Sequence, residues 1–208
     1  MNIRDAYDIW SSQYDTNKNP TRDLEAKALQ QTLNSLKFDH CLEIGCGTGK
    51  NTAWLQNRAS RITAVDFSAA MLARAKEKTD PEKVNFVQAD INEDWHFADE
   101  KYDLVSFSLV LEHIENLEPI FQKASAALIP GGYVYMGELH PFKQYTGTKA
   151  RFENEAGRQV PTCFNHHISD FVLPAIRNGL NLVTLSEYFD DDDRNSIPRI
   201  LAILFRKI

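Results

Sequence analysis

Cysteine is scarce in this 208-residue chain: Cys41, Cys46 and Cys163 are the only three, and none forms a C-x-x-C pair. An odd count without paired spacing indicates neither a disulfide framework nor a zinc knuckle, so the thiols are expected to be reduced, with Cys41 and Cys46 packed near a strand. Long apolar runs are also lacking. No stretch approaches the roughly 18 apolar residues needed to cross a bilayer. The segment Met1-Asn2-Ile3-Arg4-Asp5 has no apolar signal core, and a cytoplasmic protein without a membrane span is expected. Positive charge is in deficit, with 23 Lys and Arg against 29 Asp and Glu and a net charge of -6. A surface built to neutralise phosphates carries a basic stripe, so nucleic acid is not the expected substrate.

What is present suits a folded domain: 43% hydrophobic and 25% charged residues, in a chain long enough to bury a three-layer core by itself. Residues 1–36 read as helical, with Tyr7, Trp10 and Tyr14 at helical spacing and a second amphipathic run from Asp23 to Leu36. From Cys41 short apolar runs alternate with helical stretches. Cys41–Ile44, Ile62–Val65, Val84–Gln88, Leu104–Phe107 and Tyr133–Met136 read as strands buried on both faces. Ser68 is placed to cap a helix running to Lys78, and Pro130-Gly131-Gly132 to stop one over residues 117–128. This alternation predicts an α/β fold, a parallel sheet with helices on both faces. A polar stretch and a helix from about Ser169 to Asn178 follow. Leu182–Tyr188 and Arg199–Phe205 then form an antiparallel strand pair, because their link is too short for a crossover.

The strongest chemical signal is Leu42-Glu43-Ile44-Gly45-Cys46-Gly47-Thr48-Gly49-Lys50, a strand entering a glycine-rich turn. Glycines at 45, 47 and 49 let the backbone turn sharply and approach a ligand, although a plain tight turn would use them too. A dinucleotide fingerprint reads G-x-G-x-x-G, whereas the spacing here is G-x-G-x-G. Asp66 ends the next strand about 20 residues further on, where a carboxylate can accept two hydrogen bonds from a ribose diol. Asp90, in Gln88-Ala89-Asp90-Ile91, closes the third strand, where a turn-capping Asp is the alternative.

Glu43-x-Gly45-x-Gly47-x-Gly49, Asp66, Ala89-Asp90, Tyr102-Asp103-Leu104-Val105 and Leu128-Ile129-Pro130-Gly131-Gly132 resemble, in order and spacing, the class I S-adenosylmethionine-dependent methyltransferases. The resemblance runs from about Tyr7 to Glu138 and is nearest the ubiquinone/menaquinone-biosynthesis-like (type 11) branch. It implies a Rossmann-like three-layer sandwich with a seven-stranded, mostly parallel sheet whose last strand is antiparallel. One domain is implied: a helical cap over 1–36, a cofactor-binding core over 37–138, an acceptor-side insert and helix over 139–180, and a strand pair over 181–208. The cofactor would be S-adenosylmethionine, leaving as S-adenosylhomocysteine. The glycine loop would hold its methionine part, Asp66 the ribose and Asp90 the adenine amino group. Phe67 and Ile91 would flank the adenine, and Ser108 would lie near the methyl end. Tyr14 belongs to the segment expected to close over both ligands.

Methyl transfer from a sulfonium needs mainly alignment and exclusion of water, with a base where the acceptor must lose a proton. His140 is the first candidate base, with Glu138, His166 and His167 behind it. His113 and His166 are candidate acceptor contacts, and Arg151 could clamp a carboxylate or phosphate. Some relatives bind a divalent ion through E-x-x-E-H; here Leu109 takes the first position before Glu112-His113, so no metal is expected. The expected partner is a small-molecule acceptor, and the chain a monomer or homodimer. A nicotinamide-dependent oxidoreductase, with the same turn and acid, and a non-catalytic module that keeps the fold are the rival readings.

Overall fold

The structure, a computed structural model, describes residues 2–154 and 157–208. Seven strands form one sheet in the order β3-β2-β1-β4-β5-β9-β8. They are β1 (His40–Ile44), β2 (Arg61–Asp66), β3 (Val84–Gln88), β4 (Tyr102–Ser108), β5 (Leu128–Leu139), β8 (Leu180–Tyr188) and β9 (Ile200–Lys207). The first five pair in parallel, and β9 runs antiparallel to both β5 and β8. A short antiparallel pair, β6 (Phe152–Asn154) and β7 (Gly157–Gln159), stands apart. Parallel neighbours require crossovers, which α3 (Lys50–Leu55), α4 (Ala69–Lys76) and α5 (Glu118–Ala127) supply.

Each sheet face has its own core. Leu42, Ile44, Val105, Phe107, Val134 and Phe121 pack on one side, and Cys41, Leu104, Leu29, Leu33, Tyr135 and Leu204 on the other. Residues that alternate along β1, β4 and β5 therefore serve opposite cores, which is why these central strands read as unbroken apolar runs. The edge strands do not. β3 buries Val84 but exposes Asn85 and Gln88, and much of β8 faces outward, so burial on both faces does not extend to them.

One other expectation needs correction. Helix α5 ends at Ala127, where Leu128 is already extended, and Pro130-Gly131-Gly132 lies within β5. There Gly131 adopts φ +81° and the register with β4 shifts, so this motif shapes the strand entry instead of stopping the helix. The cap consists of α1 (Ile3–Trp10) and α2 (Pro20–Leu33), the latter opened by Asn19 as N-cap and Pro20 in the first turn. Ser68 caps α4 as expected, its hydroxyl accepting from the Met71 N–H at 3.1 Å. The polar stretch after β5 contains a short helix, α6 (Pro141–Tyr145), and α7 spans Ile168–Arg177. Among the described residues no helix is long and apolar enough to cross a membrane.

Candidate active site

Parallel strands deliver their carboxyl ends to one edge of the sheet, and two cavities open there. The smaller, about 400 Å³, is lined by Gly45 and Gly47 after β1, Asp66 at the end of β2 with Phe67 after it, Asp90 and Ile91 after β3, and Ser108 at the end of β4. Tyr14 and His113 complete its wall. Nine residues expected to hold cofactor or acceptor thus meet in one place.

The glycine loop is held by Asp66, whose two carboxylate oxygens accept from the Gly47 N–H and the Ser68 N–H, each at 2.8 Å. Phe67 N–H also points to this carboxylate, which with about four acceptor positions keeps room for a ligand hydroxyl. Burial raises the Asp66 pKa against these hydrogen bonds, which favour the charged form. The glycines divide the work. Gly47, at φ +54°, would place a Cβ in open space on the cavity side, while Gly49, at φ +80°, would drive one to 2.9 Å from Ala75. Gly49 therefore packs α3 against α4 and lies outside the cavity wall.

A side branch of about 50 Å³ runs from Gly45, Gly47, Ser108 and Leu109 toward Glu25, Glu43 and Asn51. Glu43 is buried and accepts from the Thr52 hydroxyl at 2.6 Å. Glu25 reaches in from α2 and accepts from Asn51 Nδ2 (2.9 Å), Ser108 (2.8 Å) and Tyr135 (3.0 Å). Gly137 makes that entry possible, since a Cβ there would lie 2.5 Å from Glu25 Oε1. Asn51 is 8% exposed, yet its Oδ1 has no partner. A carboxylate beside an orphaned acceptor suits a small cationic group, such as an ammonium.

The larger cavity, about 750 Å³, shares Tyr7, Tyr14 and Leu109 with the smaller and adds Trp10, Lys18, Glu112, Lys149, Arg151 and Arg199. Leu109 sits at the junction with φ +54°, a strained value for a bulky side chain. The turn is held from both sides: Leu109 N–H donates to the Gly137 carbonyl, and Glu138 Oε1 accepts from Val110 (3.0 Å) and Leu111 (2.9 Å). Burial pushes Glu138 up to about 8. Tyr7 donates to His113 Nε2 at 2.7 Å, because His113 Nδ1 must carry the proton it gives to the Thr162 carbonyl.

The structure contradicts two expected roles. His140 is fully buried, lines neither cavity and caps α6, with Nδ1 accepting from Phe142 and Nε2 donating to Glu187 at 3.1 Å. It cannot reach an acceptor there as a base. His166 is 5% exposed, outside both cavities, and donates to the Ile114 carbonyl at 2.8 Å. Both are apolar-side histidines satisfied by local partners, a role their sequence context does not distinguish from a catalytic one. Reasoning from motifs also passed over Glu25, Asn51 and Leu109 as a wall. Only Leu109 carried a signal, the broken E-x-x-E-H pattern. Among the described residues no three His, Cys, Asp or Glu side chains are grouped to hold a metal ion.

A seven-stranded sheet with one reversed strand and a cavity over its glycine turn is the arrangement that the motif resemblance implied. Residues 42–136, the centre of this site, match the family described as a methyltransferase domain. The chain is 34% identical over 107 residues to a malonyl-[acyl-carrier protein] O-methyltransferase of Enterobacter lignolyticus, a match covering 51% of this chain and 41% of that relative. It thus spans under half the length of that relative. Among solved structures, DhpI bound to S-adenosylhomocysteine superposes with a TM-score of 0.75 at 24% identity, covering 97% of this chain and 93% of that one. The N-methyltransferase NodS of Bradyrhizobium japonicum, also with S-adenosylhomocysteine, gives 0.73 at 19%, covering 100% and 99%. The resemblance read from the motifs and the fold it implied are both borne out.

Proposed function

We propose that this protein transfers a methyl group from S-adenosylmethionine to a small-molecule acceptor, with the cofactor in the 400 Å³ cavity and the acceptor in the 750 Å³ cavity. The observation that carries this reading is the junction at Tyr7, Tyr14 and Leu109, where a cavity built on the glycine turn meets a second one of substrate size. The residues fit the cofactor. Asp66 would take the ribose diol, Asp90 the adenine amino group, and Phe67 and Ile91 the faces of the ring. Open space at Gly47 leaves room for the chain beyond the ribose, and the orphaned Asn51 Oδ1 with Glu25 would receive its ammonium.

When bound, S-adenosylmethionine supplies an activated methyl carbon and a neutral thioether leaving group. The protein's task is alignment: Leu109, fixed by Gly137 and Glu138, and the two tyrosines hold the acceptor in line and keep water out. Glu112 is the carboxyl group lining the acceptor cavity, and burial raises its pKa toward the range useful for a base. The O-, N- or C-character of the acceptor is not part of the proposal, since the relatives include both O- and N-methyltransferases. All three cysteines are free, which supports a reducing, cytoplasmic location, and the reading accommodates a monomer or homodimer.

Calorimetry with S-adenosylmethionine, S-adenosylhomocysteine and NADH tests this reading. The adenosyl compounds should bind and raise the Tm by mass action, and NADH should do neither. Tight NADH binding with no adenosyl binding would replace it with the oxidoreductase reading. Adenosyl binding without methyl transfer to any acceptor would leave the binding module.

A further inference from the structure

We propose that the methyl acceptor carries an oxyanion, a carboxylate or phosphate-type group, received in the larger cavity by Lys149, Arg151, Lys18 and the Trp10 indole N–H. This rests on the reading of that cavity as the acceptor site.

The cavity reverses the charge balance of the chain. Acids outnumber bases 29 to 23 overall, yet among the described residues the lining holds Lys18, Lys149, Arg151 and Arg199 against one carboxyl group, that of Glu112. Arg199 is committed elsewhere, to both Asp190 oxygens and to Thr21. The other three make no ion pair among the described residues, although Lys149 lies near enough to Glu112 to favour its charged form. Glu112 balances at most one of these three cations.

The second observation is independent of charge. Trp10 lines the same cavity, is 6% exposed and stacks on Phe152 at 5.0 Å, yet among the described residues its Nε1–H has no partner. A buried donor without an acceptor is uncommon and is satisfied when a ligand brings one. Ammonium, guanidinium and indole groups offer donors only. A ligand rich in acceptors and negatively charged answers all four, and the planar fork of Arg151 suits two oxygens of one group. A cationic or donor-rich acceptor would meet like charge and leave the indole unsatisfied.

The test titrates inorganic phosphate and succinate into the protein at constant ionic strength, with and without saturating S-adenosylhomocysteine, by calorimetry. Trimethyl phosphate and succinamide serve as uncharged controls. At least one anion should bind saturably and neither control should. A Lys149→Ala/Arg151→Ala variant should weaken anion binding at least about tenfold, and Trp10→Phe at least about threefold. S-adenosylhomocysteine affinity should stay within about twofold in the charge variant. A Lys149→Arg/Arg151→Lys variant, which keeps the charge, should bind the anion nearly as wild type and guards against loss of fold. Preference for phosphate or for succinate identifies the oxyanion, and either supports the proposal. Equal binding of the uncharged controls, or unchanged anion binding in the charge-removing variant, overturns it. Failure of S-adenosylhomocysteine to bind while the anion does would defeat the cofactor reading alone.

Discussion

The two cavities are built by different means. The smaller takes most of its wall from the ends of β1, β2, β3 and β4, with the N-terminal segment closing it through Ile3, Tyr7 and Tyr14, so much of its chemistry is set where the backbone of a parallel sheet ends. The larger gathers side chains from α1, the loop before α2, the turn after β4, the insert after β5 and the residue before β9. A site built on strand ends tolerates change around it, whereas one assembled from loops takes its selectivity from each of them. On the proposed reading, the difference teaches that a cofactor would be kept by topology and an acceptor chosen by decoration.

The junction between the two offers the sharpest way to break this contrast. Glu138→Ala leaves the Val110 and Leu111 N–H groups without their acceptor, at about 1–3 kcal/mol for each buried unpaired donor. Urea unfolding should show a loss of about 2 kcal/mol or more, and Glu138→Gln, which keeps an acceptor oxygen, a much smaller one. If Ala proved harmless, Leu109 would be held by packing and both cavities would lose their common support. Next in size is Asp66→Ala, which should weaken S-adenosylhomocysteine binding by more than about tenfold, since hydrogen bonds to a charged group are worth about 1.5–3 kcal/mol. An unchanged dissociation constant would assign Asp66 to loop structure alone.

A smaller effect should follow pH. Burial pushes Glu43 and Glu138 up to about 8 and Glu25 to about 7, from an ordinary 4.5. The folded state therefore holds protons that the unfolded chain releases. The stability these groups contribute is fully present below about pH 4.5 and is lost as pH rises through about 8. The Tm should fall across that window, and Glu43→Gln should flatten the fall by a few degrees, at about 2–4 °C per kcal/mol for a chain of this size. A flat wild-type profile would mean that these carboxyls ionise normally. The smallest effect on turnover is expected from His140→Ala. Loss of its two hydrogen bonds should cost about 0.5–1.5 kcal/mol of stability each, with kcat retained within about twofold. A large fall in kcat with unchanged stability would return His140 to catalysis.

The same contrast governs what the sequence made legible. Positions 45, 47, 66, 67, 90, 91 and 108 could be placed together because strand ends in a parallel sheet converge whatever their side chains do. His140 and His166 could not be judged that way. Each lies in the right segment, and only packing reveals that one caps α6 and the other donates to the Ile114 carbonyl. Glu25 was equally hidden: a helical acid normally faces solvent, and its burial depends on Gly137, more than a hundred residues away, lacking a side chain. Pro130-Gly131-Gly132 was read as a helix stop because Pro and Gly mark breaks of any kind, and here they mark a bulge in a strand.

Tyr7, Tyr14 and Leu109 belong to the walls of both cavities, and Tyr7 is further tied to His113. Walls held in common make the two binding equilibria thermodynamically linked. Whatever factor a bound adenosyl ligand imposes on affinity in the larger cavity, an occupant there must return to the adenosyl ligand in full. A substitution that reshapes Tyr14 for a new acceptor will therefore be felt in cofactor affinity, whereas one at Arg151, which touches a single cavity, leaves the linkage between the sites as the only route by which the cofactor can sense it.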